Sequence, residues 1–323
     1  MKAVRAALAL LALVLPRPPA ADASPGEKPF PVPDRSMILR EEKTTYLVEG
    51  RVRIPPGVEI SCQKDIYIKA KGGPAFLEVA GSLAAHGVDS REIIFEGVTV
   101  VPAETFGQLQ LDSCIFRKGG GLATDEGKSA AGDLVVQLCN FTDGARIALA
   151  LHGGSVQLLD GGVSGVTRLR GVDREGKPNR VKATLRGFDT YGLLAEGLAD
   201  ITVRLCRIVT DPLVLKDNAV LIFDGNKVEA KEASFVQSRA GGFAKTQVMK
   251  CDLYSKRISF RAPRSPDRAD AVVLDKCWFE GETKREAIAE RIRDAADDPA
   301  CGVRVGVQNP LERPLELAGA VNR

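Results

Sequence analysis

One short apolar signature recurs along this chain. Around Cys114, Cys139, Cys206, Cys251 and Cys277 a cysteine stands with an apolar residue two places on and another three places before. Calling the cysteine position the slot, successive slots fall at Cys114, Cys139, Gly161, Arg186, Cys206, Asn226, Cys251 and Cys277. Two residues later stand Phe116, Phe141, Val163, Phe188, Ile208, Val228, Leu253 and Phe279, all apolar. Three residues earlier stand Leu111, Val136, Leu158, Ala183, Val203, Phe223, Val248 and Leu274, again all apolar. Five before the slot only Thr246 departs, and it is β-branched.

Positions −5 and −3 share one parity, while the slot and +2 share the other. A straight strand sends alternate residues to opposite faces, so it cannot point both sets inward. A bend between −3 and the slot can. Each unit is therefore strand, bend, strand, and units of this length stack as a parallel β-solenoid. The offsets do not fit a helix, and 32 glycines and the Val/Ile/Phe content oppose one. The same style extends upstream through residues 45–62 and 75–88. Residues 91–100 form another strand of ambiguous register, which makes roughly ten coils.

A repeated slot asks for one residue type. Cysteine serves as a small buried hydrophobe, and Asn226 would bond backbone at the bend. Arg186 fits worst, and the register is open to a slip there. The seven cysteines are read as buried thiols. Cys114/Cys139 and Cys251/Cys277 would stand close enough for bonds, but side chains stacked in register rarely offer disulfide geometry.

The first 23 residues read as an export signal. Lys2 and Arg5 precede the apolar run Ala7–Leu15, and cleavage is expected near Ala23. The run is too short to span a bilayer. Removing Lys2, Arg5, Arg17 and Asp22 takes the formal charge from +3 to +1, so no nucleic-acid partner is expected. Residues 24–42 read as a flexible linker, 43–280 as the solenoid, and 281–323 as a C-terminal helix and trailing segment. No transmembrane segment, metal site or cofactor is expected. There is no CxxC spacing for a metal and no G-x-S-x-G for a serine nucleophile. His86 and His152, each beside a glycine, read as solvated turn residues.

The "L/V-x-L/V-x-x-C/N-x-F" coil resembles the right-handed parallel β-helix proteins of the pectate-lyase-like superfamily. The end of the chain adds to it: Trp278, a helix around Thr283–Ala296, Asp297-Asp298-Pro299 and Pro310 resemble the trailing segment of secreted β-helix repeat proteins. The resemblance implies an all-β, right-handed, single-stranded parallel β-helix. Its amphipathic end helix, with Ala287, Ile288 and Ile292 on one side, would cap the open end. Function does not follow from the fold. Pectate lyases use an "R-x-P-x-x-R" run; here Arg261, Pro263 and Arg264 are present, but Pro266 stands where the last Arg should be. Their clustered Asp ligands, and the polygalacturonase signatures, are missing.

One surface feature remains. Arg207, Lys227 and Asp252, one residue after consecutive slots, should point outward as a ladder, with Lys227 and Asp252 paired. With Tyr254 and Arg257 nearby this is a candidate binding face for an acidic sugar. Residues 168–180 form a basic loop insertion. These features imply an exported scaffold or surface protein (secreted, periplasmic or at the cell surface) that binds polysaccharide or another surface component. The alternative is a carbohydrate-active enzyme, a lyase or hydrolase of acidic polysaccharide. Catalysis is left open.

Overall fold

The computed structural model describes residues 26–264, 270–298 and 302–315. These form a parallel β-solenoid of about ten turns with one short helix near the C-terminus. Every ladder between successive coils is parallel, and three strand faces alternate around the axis. The first carries positions −5 and −3: Leu109 pairs with Leu134, which pairs with Val156. The second carries the slot and +2: Phe116 pairs with Phe141, and Phe141 with Val163. The third, not assigned from the sequence, includes Leu77, Val100, Leu122 and Ile147 in one inward row.

The bend is a single residue. Immediately before the slot, Ser113, Leu138, Asp160, Gly187, Leu205, Gly225, Lys250 and Lys276 all have φ between +50° and +67°. One left-handed residue turns the strand and resets its parity, so both apolar sets face inward. The slot cysteines stabilise that turn. Their thiols donate to the carbonyl two residues back: Cys114 to Asp112 (3.3 Å), Cys139 to Gln137 (3.1 Å) and Cys251 to Met249 (3.1 Å). Asn226 does the related work across coils. It accepts from the Cys206 N–H at 2.9 Å and donates to the Val203 carbonyl at 2.9 Å.

The register slips at the fourth slot. Leu158 pairs with Leu185 rather than Ala183, and Leu185 pairs with Val203. The buried slot residue is therefore Phe188, with Thr190 at +2, and Arg186 is exposed. The reason is local: Gly187 takes the left-handed bend at φ +58°. Thr190, placed in an otherwise apolar row, bonds the Thr167 hydroxyl at 3.0 Å and the Gly192 carbonyl at 2.7 Å.

Stacked coils repeat their side chains. Phe95, Phe116 and Phe141 stack at centroid spacings of 4.5 Å, close to the strand spacing. The stretch read as linker carries two strands, Glu27–Pro29 and Met37–Leu39, paired with Thr45–Leu47 and Ile60–Cys62.

The C-terminal helix is shorter than the sequence predicts, Arg285–Arg291. Ile292, expected on the helix, belongs to a strand on the third face and pairs with Ile258. The helix is an inserted turn within a coil rather than a cap on the last one. It buries Ile288, and the solenoid then continues through Val303–Gln308, which pairs with Asp270–Asp275. Asp297 and Asp298 are described; Pro299 lies outside the described residues.

Candidate functional site

The predicted ladder exists in part. Asp189, Arg207, Lys227, Asp252 and Trp278 occupy one row, each paired with the next. Its charges are not free. Both Arg207 and Lys227 are held by Glu229, at 2.9 Å and 2.8 Å. Burial alone would raise Glu229, but bonds from Lys227 and Arg207 outweigh it and leave the carboxyl below its ordinary value. Lys227 also lies 5.1 Å from the centre of the Tyr254 ring, which meets Trp278 edge-on.

Asp252 corrects the expectation of an outward ion pair. It is 2% exposed, because the segment after Leu311 runs back over it. Its carboxylate accepts the Leu315 N–H at 2.8 Å. Desolvation raises it above the usual carboxylate range, while the Leu315 bond and the Lys227 charge pull it back. Arg257 stands on the next face and pairs with Glu232 at 3.1 Å. The ladder is thus a self-neutralised face with part of its area covered.

The described cysteines offer no nucleophile. The six described are free and buried. Desolvation pushes Cys62 and Cys206 up to about 12, so the reactive thiolate is scarce near neutral pH. Arg261 is exposed at the end of its strand, and residues 265–269 of that basic run lie outside the described residues.

A cleft of about 820 Å³ opens elsewhere, at the corner that leaves the third face. Two excursions wall it. The first is the later part of the basic insertion, residues 172–180, folded as a hairpin; residues 168–171, expected in the loop, belong to the strand Gly162–Gly171. Arg174 and Lys177 pair antiparallel across Glu175 and Gly176, whose φ values are +52° and +72°. Positive φ at both central residues is the mark of a tight hairpin turn. Its base is closed by Asp173, which accepts the Asn179 N–H at 3.0 Å and side-chain amide at 3.1 Å. Asn179 also donates to the Gly197 carbonyl on the next coil, at 2.7 Å.

The second wall is residues 237–245. Phe243, 1% exposed, anchors it against Phe260, with ring centres 5.9 Å apart. Asp217 holds its start through the Ser238 amide and hydroxyl, the latter at 2.7 Å. Gln237 is buried and bonds the Asn218 carbonyl at 2.9 Å.

The carboxylates of this cleft are engaged by their own walls, and Glu196 is paired with Lys216 at 2.6 Å. Arg170, Arg239 and Lys245 line the cleft and are exposed, and among the described residues none of them forms an ion pair. The bonds from Asn179 lower Asp173, and the charge of Arg239, on the other wall, adds to that.

A third group lies beside the hairpin. His152 is on the strand Arg146–Leu159, not in a turn, and it has partners. Its Nδ1 is 3.0 Å from Ser129 Oγ and its Nε2 is 3.2 Å from Arg174 Nη1. An Arg can only donate, so Nε2 accepts and the proton of the neutral ring sits on Nδ1, donated to Ser129. That direction is opposite to the one that would activate a serine. His86 is exposed at a strand end.

Compared with known family models, curated proteins and solved structures, the chain matches none.

Proposed function

We propose that this protein is an exported β-solenoid binding module whose corner cleft takes a segment of an acidic polysaccharide. The observation that carries the reading is the set of exposed cations Arg170, Arg239 and Lys245, without an ion pair among the described residues, in a cleft with braced walls. Walls already fixed by Asp173, Asp217 and Phe243 lose little freedom when a ligand enters, which favours binding. Cations without carboxylate partners are ready to bond anionic groups, and the amide, hydroxyl and carbonyl groups around them suit sugar hydroxyls. Coils about 4.8 Å apart also present such groups at a regular spacing along the axis, as a linear polymer requires. The resemblance of the coil to pectate-lyase-like chains agrees with a carbohydrate ligand, and the signal-like first 23 residues agree with export.

The test is co-sedimentation with polygalacturonate and alginate against neutral xylan and amylose, following polymer length throughout. Retention by the acidic polymers that weakens with salt supports the reading. Arg239→Ala and Lys245→Ala should each weaken it about tenfold, the scale of a charge-assisted hydrogen bond. Equal retention of neutral polymers, or none at all, overturns it. Shortening of an acidic polymer replaces it with the enzyme reading.

A further inference from the structure

His152 stands where neither the ladder nor the cleft needs it, yet both of its ring nitrogens are engaged. Ser129 approaches Nδ1 from the loop before the strand Ala130–Gln137, and Arg174 approaches Nε2 from the hairpin. Arg174 is the first residue of that hairpin's antiparallel bridge. It follows Asp173, which closes the cleft wall with Asn179. Through Arg174 the hairpin also reaches Glu104, three coils' worth of chain earlier, and within the hairpin Arg174 lies 3.8 Å from Glu175. So Arg174 adds a second side-chain tie from the cleft wall to the body of the solenoid, beside that of Asn179 to Gly197, and a neutral imidazole receives it.

The charged groups around the ring make the tie sensitive to protonation. Arg174 is the cation that faces it. Glu104 and Glu175 are partners of Arg174, and Lys128, next to Ser129, is paired with Asp125 at 3.2 Å. Among the described residues no carboxylate bonds the ring. A second ring proton would sit on Nε2, in the line of Arg174 Nη1. The acceptor disappears and two cations face each other in its place. Histidine is the side chain that ordinarily changes charge between pH 5 and 8.

We infer that His152 is the positioning residue of the cleft wall: neutral, it holds the 172–180 hairpin through Arg174, and protonated, it releases it. Ligand binding in the cleft then weakens on acidification; this last consequence rests on the function proposed above, while the release of the hairpin does not.

The test reads the hairpin directly. Hydrogen–deuterium exchange of amides 172–180 is compared at pH 8 and pH 5, corrected for intrinsic rates. The wild-type hairpin should lose at least about tenfold in protection at pH 5, as a local opening does. His152→Gln keeps an oxygen to accept from Arg174 and an N–H to donate to Ser129 but cannot titrate, so its hairpin should be equally protected at both pH values. His86→Gln should behave as wild type. Should His152→Gln fail to fold, Arg174→Gln serves: its hairpin should exchange fast at both pH values. Wild-type protection that does not change, or a fall of the same size in His152→Gln, overturns the inference. Polygalacturonate binding over the same range should fall in the wild type and stay flat in His152→Gln. Absent polymer binding alongside pH-dependent exchange would sink the proposed ligand and leave the His152 device standing.

Discussion

At the scale of single residues, the left-handed bend and the slot behind it carry most of the information. The slip at the fourth slot makes a direct test. Phe188 is fully buried and Arg186 is exposed. Phe188→Ala should therefore cost about 3–5 kcal/mol, the usual range for a buried phenylalanine. Arg186→Ala should cost within about 0.5 kcal/mol, as surface changes do. Urea denaturation of both variants checks this, and equal effects would return the slot to Arg186. The bend itself can be probed at Leu205, which sits at φ +53° with its side chain 43% exposed. A non-glycine residue in that conformation costs about 1–2 kcal/mol. Leu205→Gly should raise the melting temperature. Gly225→Ala should lower it, since φ is +67° and a Cβ would stand 3.0 Å from the Leu205 side chain.

At the scale of the elements, the ladder sets two carboxylates of opposite behaviour side by side. Glu229 is depressed by Lys227 and Arg207, so the folded state binds its proton less readily than the unfolded chain. Its stabilisation is present above the ordinary glutamate value and is lost as pH falls through the lower, folded value. Asp252 is raised by burial, so at neutral pH its charge opposes folding. Thermal melts from pH 7 to pH 3 should show Glu229→Gln losing stability at pH 7 and converging with wild type at the acidic end. Asp252→Asn should do the reverse, gaining at pH 7 because an amide oxygen can still accept the Leu315 N–H. Convergence of neither variant would mean that these carboxylates do not titrate as described. The sequence disclosed the row Arg207–Lys227–Asp252 because it follows from the slot spacing. It could not disclose Glu229 as the shared partner, nor the chain after Leu311 covering Asp252, since both depend on where the backbone goes after each coil. The third face escaped for a related reason: the connections before it vary in length, so no fixed offset from the slot marks Leu122, Ile147 or Leu193. The cleft is less legible still, because Asp173 and Arg239 come to line one cleft only after three further coils have stacked.

At the scale of the whole molecule, a parallel stack has an edge at each end, and an uncovered edge is a template for another chain. Among the described residues the last full ladder at the C-terminal end is Asp270–Asp275 with Val303–Gln308. The chain then bridges Leu311 to Trp278 and ties Leu315 to Asp252. Arg285–Arg291 does not cover this edge, since the chain returns from the helix to strand at Ile292. The burden therefore falls on residues 302–315. Ending the chain after Asp298 should bare the backbone of Asp270–Asp275 along with Val273, whose side chain is already 38% exposed on the outer side of that strand. Sedimentation velocity should then show association that grows with concentration beyond that of the full chain, through parallel edges rather than through the cleft. A charge on an edge strand opposes such pairing, so Val273→Lys in the shortened chain should restore the smaller species. If the shortened chain sediments like the full one at every concentration, the edge is protected by something other than 302–315. The solenoid would then owe its end to the inserted helix after all. The His152 tie lies on coils several strands away from this end, whereas the wall that carries Arg239 touches it, the Phe243 N–H donating to the Asp270 carboxylate at 3.4 Å. In an array whose repeats touch only their neighbours, a frayed terminus need not disturb a distant coil. The shortened chain should therefore keep the pH response of its 172–180 hairpin while it associates, and loss of that response along with the tail would show the stack acting as one cooperative unit.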